Sequence, residues 1–247
     1  MGSQVTLRLL ALVGLAGPVL AQTGPLARLA EGPKNGEWGV PLQILFWMTL
    51  LVLLPAAIVS MTPFLRLLVV FHFLRQALGT QTTPSNQVLV GLSLFLTLVL
   101  MQPTGDRIYR EAVEPLDRGE ITQREAFDRA SEPLKQFLGR YAREKDLALF
   151  LEISRLPRPR NPKELDLRVL IPAYILSELR VGFQIGAVLF LPFLIIDLLV
   201  ASITLSLGML QLPPIMISAP FKILLFVLVD GWNLVVGSLV KSFQVGG

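Results

Sequence analysis

The chain has 247 residues, 53% of them hydrophobic, with a mean hydropathy of +0.62 and a net charge of +4. This composition points to a membrane protein rather than a soluble domain, and the charge is too small and too dispersed for a nucleic-acid surface. Cysteine is absent and His72 is the single histidine, which excludes disulfides and thiol catalysis and leaves no histidine set for a metal or a triad.

Residues 1–21 have the plan of a secretory signal peptide. Arg8 precedes the apolar run Leu9–Ala16, Gly17 and Pro18 break it, and Val19-Leu20-Ala21 offers small residues for cleavage. Residues 22–41 are rich in Gly and Pro and read as a linker. Residues 42–103 are expected to form a first helical hairpin. Its first run, Gln43–Met61, is long enough to span a membrane, with Pro55 as an expected kink. Thr62–Leu78 is an apolar stripe punctuated by Arg66 and Arg75, and His72 on it reads as structural. Gly79–Gln87 is a polar turn. The second run, Val88–Gln102, is short for a span and is expected to stop at Pro103.

Residues 104–168 hold 14 of the 22 Lys and Arg and 13 of the 18 Asp and Glu, so they read as a water-exposed helical domain. Thr122-Gln123-Arg124-Glu125 fits a capping box. Leu134, Phe137, Leu138, Tyr141, Leu149 and Ile153 follow helical spacing, which predicts an amphipathic helix over Ser131–Ile153. Its apolar face needs a cover, supplied either by the same chain or by a neighbouring subunit. Arg155–Pro162 is a proline-rich linker.

Residues 169–247 form the main helical hairpin, with the reversal near 208–214. The apolar stretch Leu170–Trp232 is too long for one span of about 20 residues, so it reads as two helices. Gly208 ends the first, and Pro213 and Pro214 suit the start of the second. Counting outward from the turn places Asp197 level with Lys222, and Glu178 level with Lys241. A charge in an apolar helix is costly and faces a partner or water, so Glu178, Asp197 and Lys222 are candidate functional residues. Gly182 and Gly186 make a G-x-x-x-G that lets helices approach closely, and Pro192 is an expected kink. If the leader is exported, the Arg66 and Arg75 region is cytoplasmic, as the positive-inside rule favours, and the polar domain is extracytoplasmic.

No phosphate-binding glycine loop, H-E-x-x-H or G-x-S-x-G is present. Asp197 and Asp230 are far from level, so they do not form a carboxylate dyad. The chain therefore reads as non-enzymatic. A proton-coupled solute transporter using Asp197 or Glu178 should show internal repeats, and the two halves do not resemble each other. An assembly subunit is favoured.

Several strings are specific. PAYILSELRVGFQIG, LPFLIIDLLVAS, LGM…PP and APFKILLFVLVDGW, with LLVVFHFLRQALGTQTTPSNQVLVGLSLFLTL and DLALF upstream, resemble the FliP family of flagellar biosynthesis proteins. The likeness covers roughly 42–243 and is weakest in 104–133 and 152–168. It implies an all-α membrane protein of long kinked hairpins, assembled as a pentamer-like homo-oligomeric ring with FliQ-like and FliR-like membrane subunits. That ring is the core of the type III protein export gate, through which flagellar proteins pass. The resemblance also implies that the helices sit in a funnel raised above the inner membrane, mostly on the periplasmic side, which overrides the simple topology. It places the pore constriction at Met209, Leu210 and Gln211. Gln211 departs from the family's methionine-rich turn, so a mixed apolar ring is expected. It implies Arg143, Glu178, Asp197 and Lys222 as buried charges of gate or assembly and Phe137 and Phe150 as subunit-interface residues; the G-x-x-x-G of Gly182 and Gly186 is expected at a subunit interface as well. No cofactor is implied. A related subunit serves virulence-type secretion systems; the leader-like residues 1–21 favour the flagellar branch.

Overall fold

The computed structural model describes residues 39–80, 82–156, 165–208 and 213–244. Every regular element among them is helical. The signal peptide expected at 1–21, most of the linker expected at 22–41 and most of the proline-rich linker lie outside the described residues. The chain divides into two units, 1–55 and 56–247.

Helix α1 is Gly39–Ser60, so helical backbone begins within the expected linker, and Pro55 lies inside it. The sequence here is continuously apolar, and Leu42–Ser60 is long enough to cross a membrane.

In the unit 56–247, helix α2 is Phe64–Ala77. Its residues Leu67, Val70, Phe71, Leu74 and Ala77 recur at helical spacing and are essentially unexposed. They join Leu89, Phe193, Phe226, Val235 and Leu239 in the main apolar core. A stripe this well buried contributes roughly 1.5–3 kcal/mol per large side chain.

Helix α3, Asn86–Ile108, opens on Ser85, whose side chain accepts the Val88 N–H. The expected stop at Pro103 does not occur. The helix continues through it, passes a π-helical segment at Tyr109–Val113 and ends in the turn Glu114–Asp117. Proline inside a helix removes one backbone bond and costs about 3 kcal/mol. Here the following turns are held from outside: Arg107 Nη1 donates to Gln136 Oε1 at 2.8 Å, across to α4, Gln123–Tyr141.

The capping box at Thr122 and Glu125 opens α4. The single amphipathic helix expected over Ser131–Ile153 is instead two, α4 and α5, Glu144–Ser154. Ala142 and Arg143 are extended, with ψ of 127° and 142°, because the Arg143 N–H donates to Ser177 Oγ at 2.9 Å and not to the preceding helical turn. Leu134, Phe137, Leu138 and Tyr141 face a second apolar cluster with Leu165, Leu170 and Tyr174, so the same chain supplies the cover. Leu149 and Ile153 remain exposed.

Helix α6, Leu167–Ser206, is 40 residues long, is capped by Asp166 and runs through Pro172 and Pro192. It packs against α2, α4 and α5, and against α7, Pro214–Leu228. Gly208, at φ +72°, closes its C-terminal end. Pro214 occupies the first turn of α7, where its missing N–H costs nothing. The second arm is not one straight helix. It bends by 64° between α7 and α8, Gly231–Gln244, at Asp230, whose φ is 50°. Asn86–Asp117 and Leu167–Ser206 are also long and apolar enough to cross a membrane, and the α7–α8 pair qualifies as a broken span.

Candidate functional site: buried ion-pair clamps

An apolar helix bundle can hold a charge only where a partner meets it. Two such meetings tie the unit together.

The first joins α2, α6, α8 and α4. Arg66 is 4% exposed and Glu178 is unexposed. Arg66 Nε donates to Glu178 Oε2 at 2.8 Å and Nη2 donates to Oε1, a forked pair that matches guanidinium to carboxylate. The remaining nitrogen, Nη1, donates to Ser242 Oγ at 3.0 Å. The guanidinium carbon lies 3.9 Å from the Phe243 ring centroid, a close cation–π contact. Tyr141 closes the group: its hydroxyl donates to the Phe243 carbonyl at 2.5 Å and its ring packs edge-on against Phe243. Expected only as punctuation on a stripe, Arg66 is thus the hub of four helices. The level count that set Glu178 against Lys241 does not hold; Lys241 is exposed and Arg66 takes its place. The bend at Asp230 explains why, since it destroys the straight register beyond α7. Burial of Arg66 also removes it from the positive-inside argument.

The second clamp joins α6, α7 and the end of α2. Lys222 is 1% exposed and its Nζ lies 2.5 Å from Asp197 Oδ2. The same ammonium donates to the Ala77 carbonyl at 3.1 Å. Ala77 is the last residue of α2, where carbonyls lack helical partners and the helix dipole is negative, so a cation is well placed. Ser218 Oγ donates to the other Asp197 oxygen at 2.5 Å. Asp197 and Lys222 therefore meet as the level count expects, and Ser218 and Ala77 complete their hydrogen bonding.

A third, partly exposed group ties α5 to α6. Asp146, 2% exposed, accepts from Ser177 Oγ at 2.8 Å and lies 3.4 Å from Arg180 Nη2. Arg143, expected as a buried charge, takes part through its backbone N–H; its side chain is half-buried and in no ion pair among the described residues. Asp146 carries the buried charge there.

The helix-approach glycines have an intramolecular use. A Cβ on Gly186 would stand 2.6 Å from Phe73, and one on Gly182 would stand 3.1 Å from Val69. Both glycines thus approach α2 of the same chain. Phe137 likewise packs within the chain, 5.1 Å from the Tyr141 ring and 5.9 Å from that of Tyr174. Phe150 is half-buried on α5. Met209, Leu210 and Gln211 lie outside the described residues. Among the described residues no cluster of carboxylates or His could hold a metal ion.

The sequence signal for Arg66 is a lone Arg among mostly apolar neighbours at helical spacing, Pro63, Val69 and Val70. Its partner was not legible, because Glu178 is 112 positions away.

Helices throughout the described residues, several of them of membrane length and joined by buried ion pairs, define an all-α membrane protein. Residues 47–239 match the FliP family model, and the chain is a member of the FliP family. It is 49% identical over 212 residues to the flagellar biosynthetic protein FliP of Pectobacterium carotovorum subsp. carotovorum, covering 85% of this chain and 82% of that one. It is 48% identical to the protein of the same name from Bacillus subtilis, covering 87% and 96%. Identity is 44% to that of Caulobacter vibrioides, covering 97% and 93%.

Proposed function

We propose that this protein is a core subunit of the flagellar type III protein export gate and forms, with further copies of itself, the channel through which flagellar proteins are exported. The observation that carries this reading is the family match, which runs through the helices that hold both buried clamps. In this reading the clamps are structural devices of the channel wall. Asp197–Lys222 joins α6 to α7 and Arg66–Glu178 joins α2 to α6, and in this reading Met209, Leu210 and Gln211 form the seal of the channel. Met suits such a seal because its side chain adapts to varied surfaces.

Support for a multi-subunit assembly comes from the outward apolar faces. Phe95, Leu98, Leu199, Met216 and Leu228 are all well exposed. An apolar surface on this scale requires lipid or protein to cover it. The cover comprises other copies in a pentamer-like ring, FliQ-like and FliR-like subunits, and lipid at the bacterial inner membrane, with the bulk of the assembly on the periplasmic side. The subunit is non-enzymatic and binds no cofactor.

A clean deletion of the gene, complemented with wild type or Asp197→Ala, tests this reading by the amounts of hook and filament proteins in the medium. Loss of all of them on deletion, with normal synthesis inside the cell and full recovery with wild type, is the expected result. Intact flagellar secretion in the deletion strain overturns it.

A further inference from the structure

At the C-terminal end of α2 a cationic site opens into an apolar slot. Arg75 Nη1 donates to Asn86 Oδ1 at 2.8 Å, and Arg75 Nη2 stands 3.0 Å from His72 Nδ1. Because a guanidinium can only donate, Nδ1 accepts, which leaves the ring proton on Nε2 of the exposed His72. All the partners of Arg75 are thus neutral, and among the described residues no carboxylate lies within ion-pair distance of it. This contrasts with Arg66 and Lys222, which are both neutralised.

His72 and Gln76 line two adjoining depressions. One is the polar end, with Arg75, Thr80 and Met216. The other is apolar, with Leu68, Val69, Phe73, Val90 and Phe183 in its walls. Phe73 and Phe183 meet edge-on at 5.2 Å. The position of the polar end matters. Asn86 is the first residue of α3, one of the helices long enough to cross a membrane, and Met216 stands in the first turn of α7. The charge therefore lies at the level where apolar helices begin, and the slot runs along them. Basic pockets between membrane helices at that level suit anionic headgroups.

We propose that this groove binds one anionic phospholipid, its phosphate on Arg75 and the His72 Nε2–H and an acyl chain in the slot beside Phe73, Val90 and Phe183. A cation with only neutral partners is matched by a phosphodiester, and the slot offers the chain a largely apolar wall, with His72, Gln76 and Asn86 as its polar members. The site is separate from both clamps and does not depend on the export reading.

The test uses the full-length protein in detergent, titrated with dioleoyl phosphatidylglycerol or dioleoyl phosphatidylcholine and read by native mass spectrometry. Wild type should prefer the glycerol lipid. Arg75→Gln should weaken its binding about fivefold, the equivalent of about 1 kcal/mol for one basic residue, and weaken the choline lipid less, because its ammonium offsets the phosphodiester charge. Arg75→Lys should retain the preference. Val90→Trp, which fills the slot, should weaken both lipids while leaving the melting temperature unchanged without lipid. An equal response of Arg75→Gln and wild type overturns the proposal, as does a wild type without headgroup preference. Displacement of the lipid by millimolar inorganic phosphate would make this a phosphate site. A disulfide between copies carrying Val90→Cys, formed with loss of lipid binding, would make it a seam between subunits. Either result overturns the lipid.

Discussion

Arg66 and Glu178 are worth little as a pair compared with two well-packed apolar residues, but each is expensive when left alone. Glu178→Gln should therefore destabilise the protein by about 3–5 kcal/mol, since the Arg66 charge stays buried without its counter-ion. A double change of Arg66→Met with Glu178→Leu should recover much of that loss in thermal melts of the detergent-solubilised protein. If the double variant melts below both single variants, the clamp has some role beyond neutralising itself. Asp197 and Lys222 allow a sharper test. Exchanging them by Asp197→Lys with Lys222→Asp should rescue export only partly, because the new carboxylate would face the Ala77 carbonyl and Ser218 would lose its acceptor. Complete rescue would show that Ala77 and Ser218 contribute nothing. Tyr174 carries the opposite signature: its hydroxyl is buried with no hydrogen-bond partner among the described residues. Tyr174→Phe should thus be neutral or stabilising, by up to about 1–3 kcal/mol, the usual cost of a buried unpaired polar group. A clear drop in melting temperature would point to a partner such as a bound water.

At the scale of elements, the close approach of α2 and α6 rests on two glycines of unequal tightness. Gly186→Ala places a methyl against Phe73, including its Cβ at 2.9 Å, which cannot swing away. This change should cost about 1–3 kcal/mol by overpacking. Gly182→Ala meets Val69 Cγ1 at 3.1 Å and its Cβ at 3.2 Å, a looser fit, and should cost less. Equal melting temperatures for the two variants would contradict this order. The capping box gives α4 a pH dependence. The Thr122 backbone N–H, and then its hydroxyl, hold the Glu125 carboxyl below the usual carboxylate range. A carboxylate whose pKa is lower folded than unfolded adds stability above the unfolded value, and that stability fades as pH falls through the folded one. Amide protection factors over Thr122–Ala126 should fall on acidification through this range in wild type and change less in Glu125→Gln. Identical profiles would remove the capping carboxylate from the account.

For the molecule as a whole, the distribution of charge is the informative feature. Each buried cation in the bundle has a carboxylate on a different helix, so the pairs act as staples between segments far apart in the chain. Arg66 alone connects α2 to α6 and α8, with Tyr141 of α4 completing the set. Variants carrying Arg66→Ala should consequently lose more than one helix contact, and limited proteolysis should release the α8 region earlier than in wild type. Unchanged cleavage there would mean that Val235 and Leu239 in the main core hold α8 without the clamp.

What was legible in the sequence was whatever depends on neighbours along the chain. Apolar run lengths marked the membrane-type helices, Thr122 and Glu125 marked the start of α4, and Gly208 with Pro213 and Pro214 marked the reversal. The Asp197–Lys222 pair was legible for the same reason, because a short turn preserves register close to it. Register decays with distance and fails at every bend, so Lys241 was set against Glu178 across the unforeseen break at Asp230. Local propensity marks Pro103 as a stop, while Gln136 on another helix holds the next turns in place. The sequence by itself thus determined an all-helical membrane protein, its family and its costly charges. Only the tertiary structure decided which charges meet, that Gly182 and Gly186 serve α2, and that Arg66 is the hub, because burial energy depends on what lies across a contact and not along the chain.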